Sequence, residues 1–298
     1  MIIVRTSGGI GNQLFQYALG RALSQRNSDE LRLDTHFYDL NIEPDRSFKL
    51  RHFNANAPIA TPEDFKKAGI PFPSRQGLFA KAWRNAYRAL DSMKPLQKRK
   101  VILEPDFGFH PEILEIKGDA YLSGVWQSEK YFTDYAEQIR KDFQLAKPLG
   151  KTSESLAQEI RSAGAGSISL HVRRGDQVRD PALLTKHGAL TEDYYAGAVA
   201  YIAKHVPSPH IFVFSDEIAW CKENLKFNMP MTFINGIDYE DMHLMSLCAS
   251  HIIAKSSFSW WGAWLDPRPD KIVIAPKQRF GNASWQAPDL LPDSWIKL

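Results

Sequence analysis

The segment 169–176, S-L-H-V-R-R-G-D, sets two adjacent arginines at the end of an apolar run, with a histidine before them and an aspartate after. The run has the composition of a buried strand, and open α/β sheets take their ligands outside the carboxyl ends of such strands. Guanidinium groups carry planar, bidentate donors that match phosphate. Arg173 and Arg174 therefore point to a phosphate-bearing ligand held where a strand meets a loop. Side chains alternate across a strand, so the two arginines divide the work. One is expected to reach the ligand, while the other pairs with Asp176 or lines a cleft.

Two further segments carry polar groups at the starts of helices. In S-G-G-I-G-N-Q-L-F-Q-Y-A, Gly8, Gly9 and Gly11 lie between a first strand and a first helix. Glycines there permit tight turning and close backbone approach, and a helix N-terminus favours anions. Asn12 and Gln13 add neutral donors and acceptors suited to sugar hydroxyls or a phosphate. The spacing is neither the dinucleotide fingerprint nor a Walker A loop. Ser256, Ser257, Phe258 and Ser259 follow an apolar strand and open an aromatic helix. Serine hydroxyls and free backbone N–H groups there form a second anion site, with plain N-capping as the alternative. Trp260, Trp261 and Trp264 recur at helical spacing and read as core. Asp216 and Glu217 follow a strand and read as helix caps.

These groups need a scaffold, and the pattern around them supplies one. Apolar strands are expected at 2–5, 31–33, 120–125, 167–172, 210–214, 231–234, 251–254 and 271–274. Helical patterns are expected at 14–25, 79–90, 129–143, 192–204, 217–225 and 239–248. Strands alternating with helices imply βαβ units and parallel sheets. The Lys147-Pro148-Leu149-Gly150 break predicts two α/β domains, 1–148 and 149–298, facing a cleft. The region 61–100 is rich in Pro, Lys and aromatics and has little strand character.

At 298 residues, 44% hydrophobic and 24% charged, the chain has the composition of a globular protein with a real core. Its net charge of +3 does not argue for nucleic acid. The basic run from Lys94 to Lys100 reads as a solvated face, with an anionic membrane surface as the alternative. Cys221 and Cys248 read as reduced core residues, and no stretch approaches a membrane span, so a cytoplasmic protein is expected. There is no Cys/His cluster with zinc spacing, no carboxylate pair of the D-x-D kind in a credible loop and no G-x-S-x-G elbow.

Four segments in order, 7–18, 171–176, 214–221 and 256–265, together resemble the bacterial α-1,2-fucosyltransferases. The resemblance spans nearly the whole chain. It implies two Rossmann-like domains of the GT-B glycosyltransferase type and inverting transfer of L-fucose from GDP-fucose to the 2-hydroxyl of a galactose. No metal or other cofactor is implied. The acceptor would be a galactose-terminated oligosaccharide or a lipid-linked glycan. The resemblance further implies that Arg173 meets the diphosphate, that His171 lies beside the guanine and that the glycine turn faces the cleft opposite the nucleotide domain. A guanine-selective site needs an acceptor pair for two donors, which one carboxylate can supply. Of Asp238, Glu240 and Asp241, spacing to the serines within the superfamily singles out Asp241, with a helix-start acid as the alternative. Inversion needs a base for the attacking hydroxyl. Asp176 is the first choice, with Asp180 and His187 as alternatives. The chain departs from the family at Lys255, where Asn is common, and at Gln177, where an aromatic is usual.

Overall fold

In the computed structural model, residues 1–40, 43–72, 78–175, 188–278 and 287–298 are described. The chain forms two units, Met1–Gln144 with Pro288–Leu290, and Leu145–Ala287 with Leu291–Leu298.

In the first unit, β1 (Ile2–Arg5), β2 (Leu31–Asp34), β3 (Val101–Leu103) and β4 (Ala120–Ser123) form a parallel sheet in the order β2-β1-β4-β3. Ile2, Ile3 and Val4 are fully buried, as an apolar strand covered on both faces must be. Helix α1 (Ile10–Asn27) connects β1 to β2. Gly20 lets it lie against the sheet, because a Cβ there would overlap Val4 and Leu31. Between β2 and β3 run α2 (His36–Asp39), α3 (Pro62–Ala68) and α4 (Leu78–Ser92). The capping box of Thr61 and Asp64 starts α3.

The elements differ from the sequence pattern in several places, two of them at β3 and across 129–143. Strand β3 follows directly on the basic run and was not expected. The single helix expected over 129–143 breaks into two 3-10 turns, Glu129–Tyr131 and Thr133–Tyr135, before α5 (Ala136–Asp142). Tyr131 and Phe132 are both buried in the core, and Phe132 takes φ −140°, ψ 12°. Burial of adjacent aromatics here overrides the helical periodicity.

The second unit carries β5 (Ser167–Val172), β6 (His210–Ser215), β7 (Met231–Ile234), β8 (Ser250–Ile252), β9 (Ile272–Ala275) and β10 (Ile296–Lys297). Its order is β10-β9-β8-β5-β6-β7, parallel throughout. Helices α6 (Lys151–Ala163), α7 (Glu192–Ile202), α8 (Ile218–Asn224), α9 (Asp238–Leu247) and α10 (Ser257–Leu265) accompany it. Strand alternation separates two cores. Leu170, Val172, Ile211 and Val213 pack with Tyr195 and Val199 of α7 and Cys221 of α8. Phe212 and Phe214 pack with Ile160 of α6 and Leu244 and Met245 of α9. This is a doubly wound sheet with helices on both faces. Trp260, Trp261 and Trp264 are buried against one another, and both cysteines are buried thiols.

A buried polar chain braces β5. Ser169 Oγ lies 2.8 Å from His251 Nδ1, and His251 Nε2 lies 3.1 Å from Asp266 Oδ2. Arg268 Nε donates to the other Asp266 oxygen at 2.7 Å. Burial pushes the His251 pKa down, so the ring is neutral. A neutral ring donating from Nε2 accepts the Ser169 hydroxyl proton at Nδ1. The arrangement contains Ser, His and Asp, but all three are wholly enclosed and the chain is structural. Among the described residues no helix is long and apolar enough to cross a membrane.

Candidate active site

From β5 the second unit builds outward through β6 and β7, then returns to place β8, β9 and β10 on the other side. The reversal falls between β5 and β8, and such a switch point opens a crevice at the strands' carboxyl ends. Residues 173–175 leave β5 there, and residues 253–256 leave β8 there. His171 lies near the end of β5 with its ring centroid 5.3 Å from that of Phe258 in the first turn of α10. Ser256 caps that helix, its Oγ accepting the Phe258 N–H at 3.2 Å. The basic strand end and the serine-capped helix start are therefore neighbours. Capping and anion binding are compatible here, because one hydroxyl satisfies only one of the free N–H groups.

The two arginines follow directly on β5, and their side chains take different partners. Arg174 lies two residues beyond β5, and its Cζ lies 3.9 Å over the Trp220 ring of α8. Trp220 packs on the α7/α8 core. Arg173 Nη1 lies 2.9 Å from Asp216 Oδ2. The other Asp216 oxygen accepts the Arg174 backbone N–H at 3.1 Å. Asp216 thus corrects its reading as a helix cap. Ser215 Oγ takes the local role, accepting the Glu217 N–H at 2.9 Å, while the Asp216 carboxylate serves the arginine strand. Gly175 fits closely against it, since a Cβ there would lie 2.6 Å from Asp216 Oδ2. Asp176, Asp180 and His187, the candidate bases, lie outside the described residues.

Two buried polar atoms at this end of the sheet have no hydrogen-bond partner among the described residues: His171 Nδ1 and Asp241 Oδ1. Burial, with the Arg173 charge adding to it, lowers the His171 pKa to about 3, so the ring is neutral. Asp241 sits in the first turn of α9, just after β7. Its Oδ2 accepts the Gly236 N–H at 2.9 Å. Burial raises its pKa to about 6 against that bond, and Asp238 and Glu240 push the same way. Glu240 does something else, accepting the Gly150 N–H at the start of α6 at 3.3 Å. A buried acceptor left unmade costs about 1–3 kcal/mol. An enclosed carboxylate oxygen with an open lone pair is the kind of group a ligand donor satisfies.

In the first unit the switch point lies between β1 and β4. Gly8 there takes φ +69°, which favours glycine, and Gly9 stands at the N-cap of α1 with no side-chain cap. Gly11 is buried in the first helical turn. Asn12 is half-buried, and its Oδ1 accepts from Gln127 Nε2 at 2.9 Å. Gln13 corrects its reading as a ligand-facing amide. It is fully buried, its Nε2 donating to the Gly8 and Ser47 carbonyls and its Oε1 accepting the Lys49 N–H. Gln127 was missed from sequence, although G-V-W-Q-S follows the β4 run as a polar turn after a buried strand. Among the described residues no three His, Cys, Asp or Glu side chains gather as metal ligands.

Two α/β units of Rossmann type are the fold of the GT-B class of glycosyltransferases. The chain belongs to glycosyl transferase family 11, whose model matches residues 112–296. It is 33% identical to an alpha-1,2-colitosyltransferase of Escherichia coli over 303 residues, covering 100% of this chain and 99% of that one. It is also 33% identical to the O-antigen biosynthesis glycosyltransferase WbnK of Escherichia coli, covering 98% of each. The galactoside alpha-(1,2)-fucosyltransferase 1 of Homo sapiens matches at 27% over 154 residues, 48% of this chain and 42% of that one. The family is thus the bacterial α-1,2-fucosyltransferase type that the ordered segments resemble. In fold, the chain is similar to the α-1,6-fucosyltransferase NodZ co-crystallised with GDP, with TM-score 0.52, 16% identity and coverage of 92% and 94%. It is likewise similar to Arabidopsis thaliana FUT1 in complex with GDP, with TM-score 0.50, 14% identity and coverage of 99% and 75%.

Proposed function

We propose that this glycosyltransferase moves L-fucose from GDP-fucose to the 2-hydroxyl of a galactose in a glycan, with inversion and without a metal ion. The observation that carries the reading is the meeting of the β5 end, beyond which Asp216 holds Arg173, with the serine-capped start of α10 through the His171–Phe258 ring contact. As the glycosidic bond breaks, the electron pair passes to the β-phosphate oxygen and GDP departs. A fixed cation and oriented N–H groups stabilise that growing charge more than the bound ground state. Arg173, Ser256, Ser257 and Phe258 are assigned to the diphosphate, Arg174 to bracing the strand end, and His171 and Asp241 to the guanine. An ionised Asp241 offers two acceptor oxygens, and a guanine presents adjacent N1–H and N2–H₂ donors. Gly9, Gly11 and Asn12 are assigned to the acceptor side, in an N-terminal domain distinct from the donor-binding one. Asp176 is assigned to taking the proton of the attacking hydroxyl.

The 33% identity to a colitosyltransferase favours a second donor reading, in which a colitosyl group replaces fucosyl on the same nucleotide. One assay decides both points. Purified protein is given GDP-fucose or the corresponding colitosyl donor, a panel of galactose-terminated glycans, and EDTA or none. Turnover of GDP-fucose that is unchanged by EDTA, with an α-1,2 linkage by NMR of the product, is expected. Transfer of the colitosyl group alone, or a linkage elsewhere than the 2-hydroxyl, would overturn the assignment.

A further inference from the structure

Helix α4 of the first unit is not absorbed by the reading above. Tyr87 and Asp91 hold it to the unit. Tyr87 Oη donates to the Gly69 carbonyl at 3.0 Å, and buried Asp91 accepts the Lys100 and Val101 N–H groups, each at 2.8 Å. A different side of the helix is apolar and faces water. Ala82 and Ala86 are exposed, Leu90 is 68% exposed, and Met93, just past the helix end, is 82% exposed. Within the sequence, Phe79, Trp83, Ala86, Leu90 and Met93 recur at alternating intervals of four and three residues, a helical stripe. Leu90 and Met93, large apolar side chains left in water close together in the chain, mark a surface that something covers.

Charge says what covers it. Residues 78–100 carry seven bases (Lys81, Arg84, Arg88, Lys94, Lys98, Arg99, Lys100) and one acid, Asp91, a local net charge of +6 on a chain whose total is +3. Of these, Arg88, Lys94 and Lys98 are exposed. A second copy of the same face would bring the same sign against it. An amphipathic helix with an apolar stripe, aromatic residues in its sequence and a basic flank matches the anionic surface of a lipid bilayer. We propose that α4 and the basic run that follows it dock the protein on an anionic membrane, with Leu90 and Met93 entering the headgroup region. The placement does not depend on which sugar is transferred. It would bring the enzyme to acceptors carried on lipid.

The test is sedimentation of the full-length protein with vesicles of phosphatidylcholine alone, or of phosphatidylcholine mixed with phosphatidylglycerol. Binding to the anionic vesicles only, lost at about 0.5 M salt where exposed charges are screened, is expected. Leu90→Glu with Met93→Glu should lower that binding at least tenfold. Lys98→Glu removes two units of charge, each worth about fivefold near an anionic surface. Circular dichroism and melting of the variants check that the fold is kept, and the wild-type comparison between the two vesicle types needs no variant. Equal binding to both vesicle types, or none to either, would overturn the proposal. So would a dimer in light scattering that Leu90→Glu dissociates without any vesicle binding, which would give the face to a second copy.

Discussion

Arg173 and Asp216 meet at 2.9 Å between Nη1 and Oδ2, across the ends of adjacent parallel strands, while the second Asp216 oxygen holds the Arg174 amide. One carboxylate thus fixes both the side chain and the backbone of the arginine strand end. Asp216→Asn keeps the shape and an acceptor for the amide but removes the charge. It should lower kcat about tenfold, some 1.4 kcal/mol, because the guanidinium loses its fixed position. GDP affinity should stay equal or rise, since a competing anion has gone. A fall in GDP affinity with kcat unchanged would remove the positioning role.

Arg173→Ala should leave the fold intact and cut transfer by two to three orders of magnitude, roughly the 3–4 kcal/mol of a lost charge-stabilising donor. Arg173→Lys should recover only part of this, for lack of the planar fork. Steady-state rates with a melting curve check it. An Ala variant within a few-fold of wild type would place the phosphate elsewhere.

The pKa of Asp241, raised from 3.8 to about 6 by burial, gives a pH signature of its own. Its protonated form is favoured in the folded protein, so its contribution to stability is present below pH 3.8 and declines as pH rises to about 6. Above that, the buried charge costs about 3 kcal/mol in the unliganded protein. Asp241→Asn should therefore melt higher than wild type at pH 7 and lose GDP binding. In the wild type, GDP affinity measured by calorimetry should fall up to tenfold per pH unit below about 6. Affinity flat from pH 5 to pH 7.5 would show that this carboxylate does not meet the base.

The enclosed Ser169–His251–Asp266 chain predicts a stability effect. His251→Ala leaves a cavity and strips a partner from both neighbours. The expected cost is about 3 kcal/mol, or roughly 6–12 °C in the melting temperature of that unit. Differential scanning calorimetry reads this directly, and a shift below about 2 °C would mean that the chain is not a brace.

Gln13 and Asn12 separate structure from function in the first unit. Gln13→Ala breaks three hydrogen bonds of a fully buried side chain and should lower stability by about 2 kcal/mol. Asn12→Ala should melt near wild type and raise KM for the acceptor glycan. The reverse pattern would exchange their roles.

Local pattern made much of this fold readable. Short runs of strand-forming residues gave β1, β5 and β7 to the residue, even though β5 alternates apolar residues with Ser167, Ser169 and His171. Period two also foretold that Arg173 and Arg174 would part company. Their partners were not readable. Asp216 is 42 residues beyond Arg174, and nothing local distinguishes a carboxylate that caps from one that reaches a neighbouring strand. Gln13 misled for the same reason, since its acceptors and donor belong to residues 8, 47 and 49. Helix α1 begins at Ile10, four residues earlier than the apolar pattern suggested, because a glycine-rich stretch resembles a loop until Gly9 is seen as its cap.

Gly175 shows no left-handed φ, so its backbone does not demand a glycine. What favours it is the space taken by an oxygen, since a single added methyl would sit 2.6 Å from Asp216 Oδ2 and push that carboxylate aside. A change of one carbon at a residue with no chemistry of its own would thus displace the carboxylate and release the guanidinium it anchors. The enzyme's charge geometry rests on an atom that is missing.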